Sequence, residues 1–160
     1  DRGLRIKTRR GRGKASVVTG IVCAHIRMEE VKTPFVVNMF YFCDPDGHSD
    51  YVRSRKPLPV DDLTPRIGTL ELSDIVCTGC EYAGGYLCGL PEQPVESVTM
   101  EDICFDFRSD AGAGHPAMMD DTEPVSRLGL WAVLTLRNVR FTGCLGEPVQ
   151  CQGVTYLTRE

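Results

Sequence analysis

No stretch of the 160-residue chain approaches the run of about 18 apolar residues needed for a membrane-spanning helix, which excludes a helical span within it. Aromatic residues make up only 8% of the chain, and residues 1–34 contain none. Single-stranded nucleic acid is gripped by basic groups interleaved with aromatic faces on which bases stack, so this absence argues against a nucleic-acid groove. Helical periodicity is weak everywhere, which leaves an all-β fold as the expectation. The first residues, Asp1-Arg2-Gly3-Leu4-Arg5, show neither a Met start nor an apolar leader core, so no export signal is legible. The compartment, cytoplasmic or secreted, is not specified.

What is present is ordinary in bulk and uneven in placement. A hydrophobic fraction of 42% and a charged fraction of 25% suit a globular body of one domain over residues 1–160. The charge is −4 overall, yet residues 1–14 carry Arg2, Arg5, Lys7, Arg9, Arg10, Arg12 and Lys14 against Asp1 alone. That segment is therefore +6, and the remainder −10. A basic strip on an acidic body predicts local attraction of an anion rather than a general affinity for polyanions.

Eight cysteines (Cys23, Cys43, Cys77, Cys80, Cys88, Cys104, Cys144 and Cys151) admit disulfides, a metal site or reduced core thiols. Cys77-Thr-Gly-Cys80 has the gap of a zinc knuckle, but no second close pair completes a tetrahedral set. Several of these cysteines fall at apolar positions of a repeat, where a thiol acts as a small hydrophobe. Reduced core cysteines, no metal and no cofactor are the expectation.

The repeat reads apolar, any, apolar, any, then His, Asp or Asn, apolar, any, apolar. It occurs as Ile21-Val-Cys23-Ala-His25-Ile26-Arg-Met28 and as Leu70-Glu-Leu72-Ser-Asp74-Ile75-Val-Cys77. It returns as Val98-Thr-Met100-Glu-Asp102-Ile103-Cys-Phe105 and as Leu134-Thr-Leu136-Arg-Asn138-Val139-Arg-Phe141. Period-two alternation sends one set of side chains inward on a strand. The short polar residue at the fifth place breaks that period and tolerates the left-handed backbone of a bend. Strand, bend, strand is the unit of a solenoid whose coils stack about 4.8 Å apart, so that each strand pairs with its copy. Coils of about 20–30 residues with loop insertions account for the spacing of the copies. Residues 43–66 and 108–127 are expected to be the long loops.

Leu4-Arg5-Ile6-Lys7 alternates apolar and basic, which on a strand puts Arg5 and Lys7 on one face, about 7 Å apart. A planar guanidinium fork beside an ammonium point charge holds a carboxylate in both place and orientation. Gly11 and Gly13 suit a turn into the next strand. The segment from Arg2 to Gly13 resembles the Arg-Ile-Lys region of glycoside hydrolase family 28, the polygalacturonases. Val17–Val31 and Thr33–Tyr41 are similar to the family's following coils, in the same order, and the later repeats match in style.

The resemblance implies a right-handed parallel β-helix, partial, with long loop insertions, formed by the C-terminal coils of a pectin hydrolase. It implies inverting hydrolysis of α-linked galacturonate chains, in which an acid protonates the leaving oxygen and a base activates water. Arg5 and Lys7 would bind the galacturonate carboxylate and Tyr41 the sugar, with Phe40 beside it pointing to the other face. The substrate would be an anionic polysaccharide or oligogalacturonide, with no nucleic acid and no membrane as partner. The family's catalytic aspartates and histidine lie on coils before the Arg-Ile-Lys strand, so no catalytic residue is expected in this chain, and the chain by itself is expected to be inactive.

The paired acids Asp61-Asp62 and Asp120-Asp121 read as loop acids, Asp44-Pro-Asp46-Gly47 as turn chemistry, and His25 as a bend residue. His48 and His115 fall in loops with no paired nucleophile. The uncapped end of such a stack is expected to favour self-association. A non-catalytic polyanion-binding module, for carbohydrate or nucleic acid, is the alternative.

Overall fold

The computed structural model describes residues 1–117, 119, 128–143, 149–151 and 156–159. The strands are β1 (Arg2–Lys7), β2 (Val17–Val18), β3 (Ile21–Glu29), β4 (Thr33–Asn38), β5 (Arg66–Ile67) and β6 (Thr69–Cys80). They continue with β7 (Gly85–Cys88), β8 (Val95–Phe107), β9 (Leu128–Thr142), β10 (Val149–Cys151) and β11 (Tyr156–Arg159). Among the described residues, the 3-10 turn Pro45–His48 and the one-turn helix α1 (Asp50–Arg53) interrupt them. The fold is all-β, and every strand-to-strand ladder among the described residues is parallel.

Successive long strands alternate between two ladders. One runs β1, β4, β7 and the first part of β9, followed by β10. The other runs β3, β6, β8 and the rest of β9, followed by β11. A short third ladder pairs β2 with β5.

The four repeat copies lie side by side in the second ladder, in register. Ile21 faces Leu70, which faces Val98, which faces Leu134; Cys23, Leu72, Met100 and Leu136 form the next row. Beyond the bend the rows are Ile26, Ile75, Ile103, Val139 and Met28, Cys77, Phe105, Phe141. Phe105 joins the ladders: its ring stacks on Phe141 at 5.1 Å and meets Phe35 of β4 edge-on at 5.8 Å. Rows in β6 and β8 are buried, whereas Leu4 and Ile6 of the edge strand β1, and Ile21, Cys23, Ile26 and Met28 of the edge strand β3, are half-buried.

The bend residues behave as their chemistry requires. His25, Asp74, Asp102 and Asn138 all have φ between 48 and 57°. That left-handed region disfavours most side chains but admits Asp, Asn and His. Being in register, the four line up along the outside, where His25 Nδ1 lies 2.6 Å from Asp74 Oδ2 and Asn138 Nδ2 donates to Asp102 Oδ1 at 2.6 Å. Gly11 and Gly13, each at φ 87°, make the turn after β1.

Candidate functional site

β1 delivers Arg5 and Lys7 to one face, and the chain leaving β4 delivers Tyr41 to the same place. Backbone pairing enforces the approach. Thr8 N donates to Asn38 O at 2.9 Å, and Tyr41 N donates to Thr8 O at 3.3 Å. The three side chains converge there: Lys7 Nζ stands 3.8 Å from the Tyr41 ring centroid and Arg5 Cζ 5.5 Å from it. A cation over an aromatic face is attracted by the ring quadrupole. The Tyr41 ring thus serves as a platform for both cations. Phe40, one residue earlier, is buried, whereas Tyr41 is half-buried.

Arg2 joins the cluster from the start of β1. Burial, and then the neighbouring Arg5 charge, hold the Arg2 guanidinium below its ordinary pKa. Asp1 pairs with Arg2 Nε at 3.2 Å, and Arg2 also donates to the Ala117 carbonyl. Like charges crowded on one strand raise the local positive potential and favour an incoming anion.

The rest of the basic segment does something else. Arg9 is 3% exposed and bonds Asp44 Oδ2 at 2.9 Å and Asp46 at 2.6 and 2.7 Å. Hydrogen bonding to Asp46 raises the Arg9 pKa, and the same bond draws that of Asp46 down. Arg10 is 1% exposed, with Nε and Nη2 on the two Glu92 carboxylate oxygens at 2.6 and 2.8 Å. Its Nη1 also donates to the carbonyls of Tyr51, Val52 and Ser54, and Nη2 to that of Lys56. Arg12 reaches Asp44 and Lys14 reaches Asp62. The basic segment expected to attract an anion locally is thus divided, with Arg9, Arg10, Arg12 and Lys14 paired to acids of the chain itself. Arg9 and Arg10 are buried beside their acids, because burial of a charge is tolerable only beside its opposite, whereas the Arg12 and Lys14 pairs are exposed.

Asp44 and Asp46 accordingly do more than shape a turn: they tie the 3-10 turn to Arg9. Asp61 accepts from Leu63 N and Thr64 Oγ1, as a turn cap does, and Asp62 forms a surface pair. Asp120 and Asp121 lie outside the described residues. His25 belongs to the bend row, His48 lies tilted against Phe42 with ring centroids 5.3 Å apart, and His115 sits in the described part of the second loop. Cys77 and Cys80 are buried, and burial pushes each thiol up to about 12. Among the described residues, no group of three or more His, Cys, Asp or Glu side chains is arranged to hold a metal ion.

Sequence reasoning missed the partners of Arg9 and Arg10, and it missed Arg55 altogether. Arg55 Cζ lies 3.7 Å from the Phe40 ring centroid, and Nη1 donates to Cys88 Sγ at 3.2 Å. The one available signal was the excess of acids in 44–62 facing the excess of bases in 9–14. Set against known proteins, the chain matches no family model, no curated protein and no solved structure.

Proposed function

We propose that this chain forms the anion-gripping part of a polygalacturonase-like pectin hydrolase of glycoside hydrolase family 28, folded as a right-handed parallel β-helix. The fold reading is supported by the alternation of successive strands between two parallel ladders and by the in-register rows of the four repeats. In that reading Arg5 and Lys7 bind the carboxylate of a galacturonate residue, and Tyr41 orients Lys7 and offers its hydroxyl to the sugar. The resemblance assigns the acid and the base of the inverting reaction to coils other than those in this chain.

The observation that carries the reading is the convergence of Arg5, Lys7 and Tyr41 from two strands, with Lys7 Nζ 3.8 Å from the ring centroid. It stands out because Arg9, Arg10, Arg12 and Lys14 are each committed to a carboxylate of the chain itself.

Titration with oligogalacturonate, and with a neutral oligosaccharide of equal length, tests it. Binding of the acidic oligomer alone is expected, weakening as salt is added, with no bond cleavage by this chain on its own. Lys7→Gln is expected to cost about tenfold in affinity, the scale of one charge-assisted hydrogen bond. Equal binding of the neutral oligomer, or indifference to Lys7→Gln, would remove the basis for the reading. Tighter binding of single-stranded nucleic acid than of pectate would favour the polyanion-binding alternative instead.

A further inference from the structure

Tyr41 is not part of a regular strand, yet its ring must sit under Lys7 for the cluster to exist. Three features of the preceding residue decide this. The Phe40 amide donates to Asn38 Oδ1 at 2.8 Å, and Phe40 makes an isolated antiparallel bridge with Arg9. Its ring is 2% exposed and carries two guanidiniums, Arg55 at 3.7 Å and Arg10 at 5.5 Å from the centroid. Phe40 is bonded directly to Tyr41, whose own amide is held by the Thr8 carbonyl, so fixing the ring and backbone of Phe40 restrains where Tyr41 can point.

Both guanidiniums are themselves held from elsewhere. Arg10 is locked by Glu92 and by the carbonyls at the end of α1. Arg55 donates to Cys88, the residue of β7 that lies directly beside Asn38 in the ladder. The 43–66 loop is thus fastened near its start by Asp44 and Asp46 on Arg9, in its middle by Arg55 on Phe40 and Cys88, and near its end by the Leu63 carbonyl, which accepts from Gly11 N and Gly13 N. Tyr41 lies in the short segment between Phe40 and the first of these fastenings, Asp44.

We infer that Phe40 and Arg55, backed by Arg10, are positioning residues that aim Tyr41 at Lys7 and so preorganise the cationic site for its anion. The inference rests on the proposed binding role of Arg5, Lys7 and Tyr41 for its purpose, but the positioning itself is readable without any sugar. A lysine ammonium sits on a flexible four-carbon stem, and its place is defined only by what it rests against. With the Phe40 clamp loosened, Tyr41 leaves Lys7 and the stem is released, while β1 and its ladder are untouched.

The test uses the full chain labelled with 13C-lysine. Lys7 ε-methylene protons lying over the Tyr41 ring resonate upfield of exposed lysines, and Lys7→Arg assigns them. Tyr41→Leu is expected to move this signal to the exposed-lysine position. Arg55→Gln and Phe40→Leu are expected to move it most of the way there. Lys56→Gln, on the same loop with an exposed side chain, is expected to leave it in place. A Lys7 signal that stays upfield in Arg55→Gln, while Tyr41→Leu shifts it, overturns the inference. Arg55 is only half-buried, so that variant decides the matter if Phe40→Leu fails to fold. Adding oligogalacturonate to the same samples separates the two ideas. An unresponsive wild-type Lys7 signal removes the sugar reading and leaves the clamp. A wild-type response that Arg55→Gln weakens severalfold supports both.

Discussion

Arg10 and Glu92 stand 82 residues apart in the chain and share a two-pronged ion pair, with Arg10 Nε to Glu92 Oε1 at 2.6 Å. Their side chains retain 1% and 4% of their exposure. Such a pair contributes little net stability over a well-filled apolar site, but removing one member strands a buried charge. Arg10→Met is therefore expected to destabilise the fold by about 3–5 kcal/mol, and the double variant Arg10→Met with Glu92→Leu by much less. Urea titrations of the three proteins check this; equal losses in the single and double variants would show that the pair is not coupled.

Acid should loosen the same region. Burial pushes Glu92 up, but hydrogen bonds from Arg10 and from backbone outweigh it and leave the carboxyl below its ordinary pKa. Asp46 is drawn down by Arg9, and Asp110 by Arg108. For a carboxyl whose folded pKa is depressed, the unfolded chain binds protons first as pH falls. Its contribution is complete above the unfolded value of about 4 and disappears as pH drops through the lower folded value. Thermal midpoints are expected to stay level on these groups' account from neutrality to about pH 5 and to fall below about pH 4. A decline starting near pH 6 would point to other groups.

The bend row makes a conformational prediction. Asp74 sits at φ 49°, where a β-branched side chain is strongly disfavoured. Asp74→Val is expected to lose about 1–2 kcal/mol, whereas Asp74→Gly should change stability little. Equal effects of the two, measured by denaturant midpoint, would mean that the Asp74 side-chain contacts matter more than the backbone.

Gly84 lies against the core ring that joins the ladders. A Cβ there would come within 2.8 Å of Phe105 Cδ1, a ring locked between Phe35 and Phe141. Gly84→Ala is expected to cost about 1–3 kcal/mol through overpacking, read as a lowered melting temperature.

The cysteines should separate by reactivity. Cys43 is exposed, while burial holds the Cys77 and Cys80 thiols near 12, so almost no thiolate forms at pH 8. Native-state alkylation followed by peptide mass spectrometry should modify Cys43 early and Cys77 and Cys80 only on unfolding. Early labelling of Cys77 would contradict its place in the core.

The second ladder was legible because its information is local. Alternation with a polar break is written within eight residues, so Ile21, Leu70, Val98 and Leu134 announce a shared row, and His25, Asp74, Asp102 and Asn138 a shared bend. The pairing of Arg5 with Lys7 on one face was legible for the same reason, since period two needs only adjacent residues. The fates of Arg9 and Arg10 were not, because nothing near them in the chain distinguishes a solvated cation from a buried one.

By itself, the order of residues determined the strand faces, the left-handed bends and the two cations that share a surface, all of which follow from backbone sterics and side-chain alternation over a few positions. Only the tertiary structure decided which cations are tied to carboxylates of the chain itself. Asp44, Asp46 and Glu92 reach Arg9 and Arg10 across 35 to 82 residues of chain. Ion pairs of that span exist only once the loop has folded back, because a charge finds its partner through space and not through sequence spacing.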